Sequence, residues 1–395
     1  MRLLLFVFCV AQILLSVPIQ AAAEPEAYER GRVVERLATM IDPSITYAYY
    51  LPANYDAARR RPILYVFDPR KRGPLGAELF RDAAEAYGWI VVSSNDTSSN
   101  ADWQPNSKAI NAMWSDAQRR FSVDPKRIYA TGMSGGAIMA WSLAKVSKSV
   151  AGVIGCSGRL ADDHDTDNVA FDWFGTAGVN DFNFSDTRLI ESKLAALHTT
   201  YRVEIFEGGH QWPSSSLLRE AVEWMELQAM KRGTRARDDA FIARMLERDL
   251  AGAATLTDAD ALRRYDAIVR TFDGLAESTA AKTKADGLRA SPQVKRALRD
   301  EGRVDEFEKS AKQRMVRAIH DFIDNDAELG TTLAIDLDLA HLRKQAGGTD
   351  YGAAAARRVL SVTGIQLRML ASDLEAHGRT ARAAVVRTVA HQTQL

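Results

Sequence analysis

"YATGMSGGA" (residues 129–137) decides how this chain is read, because Gly132, Ser134 and Gly136 fit the spacing G-x-S-x-G. The spelling carries weight only in context: a β-strand must enter, a sharp turn follow, and a helix leave. Both neighbours agree. Residues 127–131, "RIYAT", read as a strand, and "GAIMAWSLAKV" (136–146) reads as an amphipathic helix. In such an elbow the serine occupies a strained backbone, and side chains at the flanking glycines would clash with the adjoining strand and helix. The helix start also brings backbone N–H groups close to the serine, where they can hold a developing negative charge.

Outward from the elbow, short apolar runs alternate with helical stretches over residues 28–232. The strand-like runs are "ITYAYYLP" (45–52), "ILYVFD" (63–68), "WIVVSS" (89–94), "AGVIGCS" (151–157), "DWFGTAG" (172–178) and "RVEIFEGG" (202–209); helices are expected over 79–87, 106–121, 136–146 and 186–199. Buried runs alternating with helices predict an open, mostly parallel α/β sheet covered on both faces. Reactive loops then belong at the C-terminal ends of its strands. After "KRGTRARDDAF" (231–241), a charged, linker-like stretch, residues 238–395 read as an all-α domain. Phe241, Met245 and Leu246 recur at helical spacing, as do Leu262, Tyr265, Ile268 and Phe272. "SPQVKRALRDE" opens with a Ser-Pro helix start, and the last segment reads as a helical hairpin turning near Gly378. This region is either a surface for a protein partner or an appendage packed on the first domain.

A serine at neutral pH needs a base, and an elbow predicts an acid and then a histidine downstream. Of seven histidines, His320, His341, His377 and His391 fall in the helical region, His198 late in a helix and His164 in the acidic loop "ADDHDTDN". His210, in "EIFEGGHQWP", sits just past an apolar strand in a glycine-loosened loop, where a strand-end catalytic residue belongs. The acid expected one strand earlier is Asp181 in "GVNDFNF"; Asp186 precedes "TRLIESKLAAL" and reads instead as a helix N-cap. For the oxyanion, Gly135 N–H is the first donor expected. The second should come from the loop after "ILYVFD", from Asp68 or Arg70, since Pro69 has no N–H. Arg70, Lys71 and Arg72 line the cleft mouth or form a plain solvated loop. The loop "NDTSSNADWQPN" (95–106) is the expected rim, with Trp103 and Trp212 either apolar walls for a substrate or core residues.

With these residues in hand, residues 45–230 resemble the α/β-hydrolase family. "GMSGGA", "GTAGVNDF" and "GGHQWP" are similar to the nucleophile, acid and histidine motifs of its small carboxylesterase branches, feruloyl-esterase-like and polyhydroxybutyrate-depolymerase-like members among them. The resemblance implies a serine esterase acting through an acyl-enzyme on a small or polymer-attached ester, with Ser134, Asp181 and His210 in the three roles. The same triad serves a serine peptidase, and a scaffold acting by recognition alone is a third reading. One departure stands out: "FDPRKRG" occupies the place where those branches carry a His-Gly pair.

Composition narrows the rest. The chain has 395 residues, 46% apolar and 26% charged, with 51 basic and 51 acidic side chains balancing to zero net charge, which gives no footprint for nucleic acid. No metal or organic cofactor is called for by any His/Cys cluster. "MRLLLFVFCVAQILLSVPIQAAAEP" has Arg2, an apolar core and small residues up to Ala23, the pattern of a secretory signal over 1–23, so export to the periplasm or outside is expected. Cleavage there would remove Cys9 and leave Cys156 as the single thiol, so stability must come from core burial.

Overall fold

The computed structural model describes residues 28–99, 101–159, 169–324 and 330–394, so the expected signal at 1–23 and His164 lie outside the described residues. Eight strands form one sheet in the order β1-β2-β4-β3-β5-β6-β7-β8. They are β1 (Val33–Ala38), β2 (Thr46–Tyr50), β3 (Arg61–Phe67), β4 (Ile90–Ser94), β5 (Val123–Met133), β6 (Val150–Cys156), β7 (Asp172–Gly178) and β8 (Tyr201–Phe206). β1 and β2 pair antiparallel and β2 runs antiparallel to β4, whereas every pairing from β4 through β3 to β8 is parallel. The helices of this part are α1 (Gly73–Tyr87), α2 (Trp103–Arg120), α3 (Gly135–Ser147), α4 (Phe184–Ala196) and α5 (Ser215–Lys231).

The alternation of β3 shows why the sheet is covered on both sides. Ile63, Tyr65 and Phe67 join one core with Met113 of α2, Trp141 of α3 and Leu194 of α4. Leu64 and Val66 face the opposite way, toward Phe80 of α1 and Trp224 of α5. A strand buried on both faces loses polar alternation and reads as a continuous apolar run, which is what made these strands visible in the sequence. β1, "VVERLA", carries no such run because it is a half-exposed edge, and it is absent from the sequence reading. α5 escapes it too: its buried face includes Glu223, Glu226 and Gln228, polar residues that blur the apolar stripe.

The helical region divides in two. α6 (Asp239–Ala254), α7 (Asp258–Phe272) and α8 (Thr279–Ala290) share a core with Leu227 and Met230 of α5, so this part is an added layer on the sheet's own outer helix. The stretch expected to be a linker is pinned. Arg235 pairs with the buried Glu226, Arg237 Nη2 donates to Leu275 O at 2.5 Å, and the Asp238 carboxylate caps α6 by accepting Phe241 N–H at 3.0 Å. α9 (Pro292–Asp324) then runs 33 residues, about 50 Å at helical rise, into a second core. That core is built with α10 (Gly330–Asp336), α11 (Leu339–Ala346), α12 (Tyr351–Ala376) and α13 (Thr380–His391). α12 and α13 form the expected hairpin, with Gly378 at φ +72° in the turn. Among the described residues no helix is long and apolar enough to cross a membrane.

Candidate active site

Strand β5 ends at Met133 and α3 begins at Gly135, leaving Ser134 alone in the corner at φ 57°, ψ −123°. A non-glycine residue there costs roughly 1–3 kcal/mol, a strain that surrounding structure must hold. The corner is this tight because backbones touch. A Cβ on Gly132 would stand 2.2 Å from the Gly136 carbonyl, and one on Gly136 would stand 1.9 Å from Phe67 O of β3. Only glycine fits either position, so the G-x-S-x-G spacing is a packing requirement of strand, turn and helix together.

The other two residues arrive from neighbouring strand ends. Asp181 lies three residues beyond β7 and His210 four residues beyond β8, both on the carboxyl side of the parallel sheet with Ser134. His210 Nε2 is 2.9 Å from Ser134 Oγ, and His210 Nδ1 is 2.8 Å from Asp181 Oδ1. A carboxylate only accepts, so Nδ1 carries the proton and donates to Asp181, leaving Nε2 to accept the Ser134 hydroxyl. The Asp181 side chain is fully buried, while that of His210 keeps 20% exposure.

Several residues that the sequence reading missed hold this line of three. Asn183 N–H donates to Asp181 Oδ1 at 2.9 Å, and its side-chain Nδ2 donates to Ser157 O at 2.8 Å. The Ser157 hydroxyl in turn donates to Gln211 O at 3.2 Å, beside His210. Phe182 lies against the imidazole, ring centroids 4.0 Å apart. The Asp-x-Asn spacing was a usable signal, since an aspartate habitually accepts the N–H two residues on; nothing local announced Ser157.

The oxyanion side corrects one expectation. Gly135 opens α3, so its N–H is one of the first-turn donors that helix geometry leaves without an intrahelical acceptor. Arg70 N–H, however, donates to Asp68 Oδ1 at 2.8 Å and is therefore committed to holding its own turn. The Asp68 carboxylate is a fully buried hub that also accepts Arg72 Nε at 3.0 Å, Arg72 Nη2 at 2.9 Å and Trp212 Nε1 at 2.8 Å. Burial alone would raise this carboxyl, but bonds from Arg72, Trp212 and Arg70 outweigh it and hold it below the ordinary range. Trp212, expected as a free apolar wall, is thus tethered by its indole and stands edge-on to Phe80. Trp103 begins α2 and is 54% exposed. Ser99, from the same rim loop, covers the elbow so closely that a Cβ on Gly135 would meet its hydroxyl at 2.2 Å.

Other expectations resolve simply. Asn183, not Asp186, is the N-cap of α4; Asp186 sits in the first turn, its carboxyl raised by burial. His320 and His377 are exposed. Cys156 is buried on β6 and its thiol is pushed up to about 12 by desolvation, which makes it a packing residue. Among the described residues no group of three His, Cys, Asp or Glu side chains is arranged as metal ligands would be. A groove of about 880 Å³ between α4 and α9, lined by Leu189, Lys312 and Val316 among others, includes none of Ser134, Asp181 and His210.

A chain with this sheet, this elbow and these three strand-end residues carries an α/β-hydrolase domain followed by helices. Residues 95–215, which contain Ser134, Asp181 and His210, match the Dienelactone hydrolase family, and the match spans less than a third of the chain. No curated protein matches the sequence. Among solved structures, similarity is found to a thermostable esterase, at 20% identity and TM-score 0.39, covering 49% of this chain and 62% of that one. A fluorophosphonate-binding serine hydrolase F of Staphylococcus aureus aligns at 14% identity and TM-score 0.41, covering 50% and 99%. A ferulic acid esterase aligns at 15% identity and TM-score 0.41, covering 49% and 97%. This chain therefore spans under two thirds of the thermostable esterase's length and nearly the whole length of the other two.

Proposed function

We propose that this protein is an exported serine hydrolase that cleaves carboxylic esters through an acyl-enzyme. The observation that carries the reading is the hydrogen-bonded line from Ser134 Oγ through His210 to Asp181, at 2.9 and 2.8 Å, set on a strained elbow. Ser134 Oγ attacks the acyl carbon while His210 Nε2 takes its proton, and Asp181 steadies the imidazolium that forms. The tetrahedral oxyanion accepts Gly135 N–H, with Asp68 N–H, at the end of β3 beside the elbow, as the second donor. Collapse breaks the ester C–O bond as His210 returns the proton to the departing alcohol. Water, deprotonated by His210, then attacks the acyl-enzyme and releases the acid. The match of residues 95–215 to the Dienelactone hydrolase family supports the class of reaction. Export rests on the signal pattern of residues 1–23.

The test is hydrolysis of short-chain p-nitrophenyl esters by the full chain beside Ser134→Ala. Turnover should fall by about 10⁵-fold or more in the variant, since the nucleophile of such a unit carries most of its rate. Equal activity in both would overturn the reading, and cleavage of a peptide anilide without ester turnover would replace the esterase with a peptidase.

A further inference from the structure

The loop that carries Asp181 is held by helices that belong to the far end of the chain. Its inner side faces the histidine loop: Val179 N–H donates to Phe206 O and Asn180 N–H to Gly208 O, both at 2.9 Å. Its outer side faces α9 and α12. Arg358 of α12 donates Nη1 to Val179 O at 2.8 Å, and Arg357 donates Nε to the Asn180 side-chain oxygen at 2.7 Å. Lys312 of α9 donates Nζ to Phe182 O at 3.1 Å and to Ser185 Oγ at 2.7 Å. These contacts fall on both sides of Asp181 in the chain, at 179, 180, 182 and 185.

The groups that make them are themselves fixed. Arg358 is 0% exposed and gives both Nε, at 2.9 Å, and Nη2, at 2.6 Å, to the carboxylate of Glu308, which is 1% exposed. The same carboxylate pairs with Lys312 at 2.8 Å, and the Arg358 guanidinium lies 4.3 Å from the centroid of the Phe184 ring. Buried ion pairs contribute little net stability, because desolvation offsets their attraction; what they add is a fixed arrangement. Here the arrangement aims cationic donors at backbone carbonyls of one loop, the loop whose carboxylate must meet an imidazole.

We infer that Arg358, Lys312 and Arg357 are positioning residues, through which the α9–α12 pair completes the active site by clamping the Asp181 loop against His210. The inference rests on the triad reading above. The loop is pressed between two partners, and the spacing from Asp181 to His210 is set from both. Loss of the outer partner leaves the loop held only from the sheet side, by the histidine loop and by the Asn183–Ser157 bond. Small displacements at such a site cost rate out of proportion to their size.

Full-length Arg358→Lys and Lys312→Met, with Asp181→Asn for reference, test this with p-nitrophenyl acetate kinetics, thermal unfolding and the low-field proton resonance of the His210–Asp181 hydrogen bond. Arg358→Lys should lose at least tenfold in kcat and Lys312→Met several-fold, with KM changed less than twofold. The low-field resonance should broaden in both, toward its loss in Asp181→Asn. Phe322→Leu, in the α9–α13 core away from the loop, should lower the unfolding temperature and leave kcat alone. If Arg358→Lys does not fold, Lys312→Met decides, since it keeps the alkyl stem and leaves Glu308 its Arg358 partner. Wild-type kcat and a sharp resonance in a folded Lys312→Met would overturn the clamp. Ester turnover by the wild type that survives Ser134→Ala would instead overturn the triad reading, and the resonance alone would then read whether the helices hold the loop.

Discussion

Residues 28–232 and 239–394 are held together by different means, and buried ion pairs lie along the seam between them. The sheet is apolar on both faces, and its elements can be found one by one from runs such as "ILYVF". The helices after α5 bury their apolar side chains against one another and against the sheet's outer helix, and such packing is the main source of helical stability. Between the two lie buried arginines. Arg202 of β8, 1% exposed, pairs with Glu204 and Glu220 from the sheet side and with Asp249 of α6. Glu226 of α5 gathers Trp89, Arg127 and Arg235. Arg358 and Glu308 reach the acid loop. On the proposed reading the first region carries the reacting groups, and the second, through Lys312, Arg357 and Arg358, bonds the loop after β7.

That division of labour can be broken or sharpened by substitution. The largest effect is expected within the sheet region. Asp181→Asn keeps the volume of the side chain but reverses the hydrogen bond it offers His210, so kcat should fall about 10⁴-fold with the unfolding temperature little changed. A fall of less than tenfold would mean that Asp181 does not set the imidazole tautomer. Next in size is Phe241→Ala, which removes a 2%-exposed ring from the core shared by α5 and α6. It should cost about 3–5 kcal/mol and should destabilise the sheet and α6–α8 together, seen as one transition in denaturant by both circular dichroism and loss of ester turnover. Two separated transitions, with turnover following the untouched one, would show that the helices are an appendage after all.

The smallest effect is a titration. The folded value of Asp68 lies below its ordinary value. The stability it contributes is therefore present above about pH 4 and is lost as pH falls through the folded value. Acidification should release the Trp212 indole, visible as a fluorescence change below pH 4 that disappears in Trp212→Phe, and Asp68→Asn should flatten the acid limb of the melting curve. An acid limb unchanged in Asp68→Asn would remove the carboxylate hub from the account.

What could be seen in the sequence follows the range of the interactions. Gly132, Ser134 and Gly136 are constrained by atoms within a few residues and by one strand, so their spacing and the strand and helix patterns on either side exposed them. Asp181 and His210 were found by order along the chain and by position after an apolar strand, a topological regularity rather than a contact. β1 was invisible because an edge strand with one exposed face has no apolar run. Arg70 was misassigned because nothing in "FDPRKRG" tells that the aspartate turns back to take the arginine's own N–H. The separation of 179 positions between Val179 and Arg358 puts the clamp beyond any local pattern. Helical periodicity could find α12 but not what it touches.

The most direct test of the central claim is labelling with a fluorophosphonate probe followed by peptide mass spectrometry of the full chain and of His210→Ala. If Ser134 is a nucleophile activated by His210, the probe's phosphonyl group will be found on the peptide bearing Ser134 in the wild type. In His210→Ala labelling should fall by at least a hundredfold. Labelling elsewhere, or at Ser134 equally in both proteins, would contradict the account.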